Sequence, residues 1–77
     1  MTNYSSRSDN TGKPTGVRGY DYEDDNITLY FTSGSIYNYS YASCGSSHIN
    51  NMKSLADGQH GLNTYVTKNK PPFAWKR

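Results

Sequence analysis

The sequence is short of aliphatic side chains. Leu, Ile, Val and Phe together supply 10 of its 77 residues, a share at which many chains bury too little apolar surface to offset the entropy of ordering. Its single cysteine, Cys44, cannot close a disulfide within the chain. A secreted miniprotein stapled by disulfides is therefore excluded, and a reducing compartment fits best. No run approaches the roughly 18 apolar residues of a membrane span, and residues 1–16 lack the apolar core of a signal peptide. The expectation is a cytoplasmic protein with no membrane contact, in the host cytoplasm if the gene is phage-borne. Charge of one sign is also scarce. Eight Lys and Arg against six Asp and Glu leave a net charge of +2, too little to coat nucleic acid by charge alone. A chain of this length folds as one small domain that buries roughly 60% of the surface its unfolded form exposes, which leaves no room for most deep-clefted catalytic folds.

What the chain has instead is aromatic: eight Tyr, two Phe and one Trp. Each can cover on the order of 150–250 Å², so tyrosine takes over much of the work of the missing aliphatics. The charge is also unevenly spread. Arg18 stands against Asp21, Glu23, Asp24 and Asp25 within residues 17–25, whereas Lys53, Lys68, Lys70, Lys76 and Arg77 face only Asp57 within residues 53–77.

Residues 1–15, which contain Ser, Thr, Asn, Gly and Pro with one aromatic and no periodicity, read as a disordered or loosely attached tail in which Tyr4 is the one anchor. From Gly16 the pattern changes to VRGYDY, the turn cluster EDDN, ITLYFT, SG and SIYNYSY, the outline of a three-stranded antiparallel meander. A two-residue Ser33-Gly34 loop would pair Phe31 with Ile36, Tyr30 with Tyr37, Leu29 with Asn38 and Thr28 with Tyr39. That register puts Ile27, Leu29, Phe31 and Ile36 on one face and Thr28, Tyr30, Tyr37, Tyr39 and Tyr41 on the other. Ser46 or Ser47 caps a helix carrying Ile49, Met52, Leu55 and Ala56 at three- and four-residue spacing, closed by Gly58. A shorter helix or turn runs from Leu62 to Thr67, and Pro71-Pro72 stops it before the basic, aromatic tail of residues 69–77. The fold class is α+β: a meander whose aliphatic face packs on one helix plus a short second one, with residues 16–68 as the domain. Its sheet edges are open to a second copy of the chain.

Gly19-Tyr20-Asp21, Leu29 and Phe31 ahead of Ser33-Gly34, the Tyr37-x-Tyr39 pair, and Gly61-Leu62-Asn63 before Tyr65-Val66 together resemble the KTSC domain. This short module is named for its place at the C-terminus of some lysyl-tRNA synthetases, and the resemblance covers roughly residues 16–68. It implies a small domain for which RNA binding has been suggested from the synthetase association. Tyr41-Ala42-Ser43-Cys44-Gly45 stands where members often carry a proline-containing turn, and PPFAWKR differs from their usual ending. Both departures point to a standalone, phage-borne member rather than a synthetase appendage.

No catalytic constellation emerges from the residues. Asp21, Glu23, Asp24 and Asp25 fall at a turn, where Asp serves turn geometry. Cys44, His48 and His60 lack the paired spacing of a zinc site, and no third group orients a Cys-His dyad. The expectation is a non-enzymatic module without cofactor or metal. Tyr30, Tyr37, Tyr39 and Tyr41 supply stacking surfaces, while Lys68, Lys70, Phe73, Trp75, Lys76 and Arg77 add cations and further rings. RNA or single-stranded nucleic acid binding needs that combination. The same residues also suit a phage or mobile-element accessory protein that binds and modulates a host protein through an aromatic hot spot, or a second mini-core with no ligand.

Overall fold

The computed structural model describes residues 1–4 and 16–77. It is an α+β domain built on one antiparallel sheet of five strands in chain order: β1 (Thr2–Asn3), β2 (Val17–Glu23), β3 (Asn26–Phe31), β4 (Ile36–Ser40) and β5 (Trp75–Lys76). Three helices, α1 (Tyr41–Cys44), α2 (Ser46–Asp57) and α3 (Leu62–Asn69), lie between β4 and β5 in the chain. The expected meander is β2-β3-β4. Two short strands from the ends of the sequence extend it, which corrects the three-stranded expectation.

Both added strands come from segments read as tails. Thr2 and Asn3 pair with Tyr20 and Gly19, and the buried Tyr4 ring joins the core. Trp75 and Lys76 pair with Asn38 and Tyr37, and Ile36 and Arg77 exchange backbone hydrogen bonds in both directions (3.0 and 2.7 Å). Sequence patterning misses strands of two residues because no alternation can show in them. The expected tail over residues 5–15 lies outside the described residues.

The loop between β3 and β4 decides the faces of the sheet. Gly34 donates its N–H to Phe31 O and Phe31 donates to Ser35 O, both at 2.9 Å, so Thr32, Ser33 and Gly34 form a three-residue loop. Gly34 takes the positive φ (+95°) that such a loop requires at its third position. The pairing becomes Tyr30 with Ile36, Leu29 with Tyr37, Thr28 with Asn38 and Ile27 with Tyr39, one residue away from the expected register. Asn38 supplies the physical reason. Opposite Leu29 its amide would sit in the apolar core, whereas opposite Thr28 it donates to Thr28 Oγ1 at 3.0 Å. The slip carries Tyr37 and Tyr39 to the helix side of the sheet.

Val17, Tyr20, Ile27, Leu29 and Tyr39 form the sheet half of the core, and Ile49, Met52 and Ala56 of α2 with Leu62 and Val66 of α3 close it. The helical stripe is the expected one; the caps differ. Ser40 and Ser43 form a reciprocal capping box on α1 (3.1 and 2.9 Å), while α2 begins at Gly45 with no side-chain cap. Gly58 has a helical φ of −75°, and Gln59 takes the left-handed turn instead. Substituting Gly34 is a direct test of the loop. A Cβ there meets open space, so Gly34→Val registers backbone strain alone, about 1–3 kcal/mol in urea unfolding. Gly34→Asn, which tolerates positive φ, should cost less.

Candidate functional site

With both longer helices on one side of the sheet, the opposite face presents Asp21, Thr28, Tyr30, Ile36, Asn38 and Trp75, and no helix among the described residues covers it. Two cross-strand rows organise it. One runs Gly19, Tyr30, Ile36, Arg77 and the other Asp21, Thr28, Asn38, Trp75.

A β-bulge aims the first cation. Val17 pairs with Phe31 and Gly19 with Tyr30, leaving Arg18 as the extra residue in β2. Bulges redirect side chains, and here Val17 and Tyr20 point into the core while the Arg18 guanidinium lies 5.8 Å from the Tyr30 ring centre on the open side. At the other edge the Arg77 guanidinium lies 4.7 Å from the centre of the Trp75 ring, which is 40% exposed. The Tyr30 hydroxyl donates to Asp21 Oδ2 at 2.8 Å, and the Met1 amine stands 3.4 Å from Asp21 Oδ1. The bond to Asp21 raises the Tyr30 hydroxyl above the ordinary tyrosine value and fixes its ring. Between the two arginine-aromatic pairs lie Ile36 and the buried Asn38, which donates to Thr28 Oγ1 and, at 3.5 Å, to Asn26 Oδ1. The face can stack planar groups and attract anions. Comparison with protein-family models, curated proteins and solved structures found no match.

The sequence-derived site residues separate into six places. Tyr30, Trp75 and Arg77 share the open face. Tyr37, Phe73 and Lys76 gather at the same edge of the sheet but on the helix side. There the Tyr37 ring meets Phe73 edge-on at 5.1 Å and Phe31 at 5.4 Å, with the Lys76 ammonium 5.7 Å from its centre. Tyr39, 5% exposed, belongs to the core, and burial pushes its hydroxyl up to about 12. The single tyrosine face expected from the two-residue loop is therefore not formed. Tyr41 is exposed at the start of α1, Lys68 lines a hollow between α2 and α3 with Leu55, His60 and Tyr65, and Lys70 follows α3 in a left-handed turn.

Arg18 is the residue that pattern reading missed. Its signal was the glycine beside it, because a glycine inside a strand often marks a bulge. Elsewhere the polar groups serve structure. Tyr20 and Tyr22 donate to the two oxygens of Asp57 at 2.9 and 2.7 Å and tie β2 to the end of α2. Cys44 donates its thiol to Ser40 O at 3.4 Å, and burial pushes that thiol up, away from the thiolate that nucleophilic or metal chemistry uses. His48 Nδ1 is engaged by the Tyr65 hydroxyl at 2.5 Å. Among the described residues no cluster of three His, Cys, Asp or Glu could hold a metal ion, and no helix is long and apolar enough to cross a membrane.

Proposed function

We propose that the protein is a non-enzymatic module that binds RNA or another single strand on the open sheet face. The observation that carries this reading is the pair of arginine-aromatic contacts, Arg18 with Tyr30 and Arg77 with Trp75, on a face no described helix covers. Bases stack on the two rings, each worth ~1–3 kcal/mol, and the guanidiniums reach the phosphates between them. Between the rings lie Ile36 and the hydrogen-bonded Thr28-Asn38 pair, with Asn38 itself buried. Because stacking accepts every base, the binding is tolerant of sequence. The resemblance to the KTSC domain points the same way, toward RNA.

Fluorescence anisotropy with a short labelled oligoribonucleotide tests the reading. Affinity should fall steeply as salt rises, since phosphate contacts release counterions. Trp75→Ala should weaken binding about 5- to 140-fold without unfolding the domain. Arg18→Ala should lower the salt dependence by roughly one phosphate contact. No binding at low salt sinks the proposal.

A further inference from the structure

Resting on that open-face reading, we infer that the same strand passes around the β5 edge and places one base in a second pocket, between the β3-β4 loop and α3. The pocket has a volume of about 340 Å³ and is lined by Phe31, Ser33, Ser35, Tyr37, Asn63 and Thr67. That volume lies at the lower end of the range for small-ligand sites, about 300–1,000 Å³.

Its lining has the two elements that a nucleobase needs. The Phe31 and Tyr37 rings offer π-surface, and their edge-on contact at 82° leaves them as two walls rather than one closed stack. Ser33, Ser35, Thr67 and Asn63 complete the lining, the first two joined by a hydroxyl-hydroxyl bond of 3.3 Å, and give it the polar rim that a base edge hydrogen-bonds. An aliphatic peptide side chain would leave those polar groups facing apolar surface, which disfavours it as occupant.

Continuity with the open face identifies the source of the base. β5 is an edge strand two residues long, and it contributes to both faces of the sheet. Trp75 lies opposite Asn38 on the open side, and Lys76 lies opposite Tyr37 on the pocket side. Phe73 packs against the Tyr37 ring, and the Lys76 ammonium sits over it. A strand stacked on Trp75 and turning over this edge meets a cation for its phosphate and then the pocket for its next free base. No further strand blocks that path among the described residues, because β5 is last in the sheet order.

The test is an NMR titration with adenosine monophosphate, run beside anisotropy with a short and a longer oligoribonucleotide. In the native protein the nucleotide should shift Tyr37 and Thr67 resonances, and should still do so in Trp75→Ala, which removes one open-face ring and leaves the pocket lining intact. Thr67 is exposed on α3, so Thr67→Trp fills the pocket without touching the core. It should abolish those shifts, leave short-strand affinity as it is, and lower affinity for the longer strand about 5- to 140-fold. Shifts confined to the open face, or unchanged long-strand affinity in Thr67→Trp, overturn the second site. Loss of all oligonucleotide binding with the Tyr37 and Thr67 shifts retained overturns the open-face reading and the shared strand, and leaves a mononucleotide pocket.

Discussion

Tyr4→Ala should unfold the domain at ordinary temperature. Tyr4 is only 3% exposed although it lies at the far end of the chain from the helices it touches. Its N–H donates to Arg18 O at 3.0 Å, which continues the β1 pairing. Its hydroxyl accepts the Leu62 N–H at 2.9 Å. Leu62 opens α3, and Gly61 before it offers no side chain to cap the helix. The phenol therefore supplies an acceptor that the helix start lacks, across 58 positions of sequence. Deleting a buried aromatic side chain costs about 3–5 kcal/mol. That is comparable to the whole stability of a domain this small. Far-UV circular dichroism of Tyr4→Ala, and of a chain lacking residues 1–4, should show the same loss. Tyr4→Phe separates ring from hydroxyl. It keeps the packing but leaves the buried Leu62 N–H without its acceptor, at about 1–3 kcal/mol, with a fall of several degrees in Tm. A fully folded Tyr4→Ala with native Tm would show that the Tyr4 ring contributes nothing to the core.

Tyr4 also shows where sequence reading succeeds and where it stops. Its isolation as the one aromatic in a polar stretch marked it as an anchor, but its partner on α3 lies too far away in sequence for any local pattern to reveal. The meander, the Ile49-Met52-Ala56 stripe and the α+β class were legible because each rests on periodicity repeated over several residues. The sheet faces were not, because one loop residue controls them. Whether Thr32 belongs to the strand or to the turn changes no composition and no alternation within either strand, yet it exchanges every side chain of β4 between core and solvent. Asn38 carried the information in principle. Placed opposite Leu29 it is a buried amide facing hydrocarbon, and placed opposite Thr28 it has a partner. Weighing that single polar residue against the matched tyrosines would have selected the observed register. For the candidate site the consequence is substantial. Tyr30 keeps its place on the open face and gains Arg18, Tyr39 leaves for the core, and Trp75, expected in a tail, stays in the site as a paired residue of β5.

The tyrosines that replaced the missing aliphatics give the fold a weakness toward base. Four hydroxyls are raised above the ordinary value: Tyr39 by burial, Tyr20 by burial and then its bond to Asp57, Tyr22 by its bond to Asp57, and Tyr30 by its bond to Asp21. Tyr39 is the largest, moved from 10.0 to about 12. In the unfolded chain these groups release their protons near pH 10, while the native fold holds them protonated to a higher pH. Above pH 10 the unfolded state therefore binds fewer protons than the native state, and stability falls as pH rises. The contribution of Tyr39 is fully present below pH 10 and is lost progressively up to about pH 12. Tyr20, Tyr22 and Tyr30 act in the same direction. Urea unfolding at a series of pH values should show a midpoint that is steady below pH 10 and drops across this window. Tyr39→Phe, which removes the ionising hydroxyl and keeps the ring, should flatten most of the drop. Midpoints that stay level across the window, or that fall equally in Tyr39→Phe, would place the alkaline weakness outside the buried face of β4.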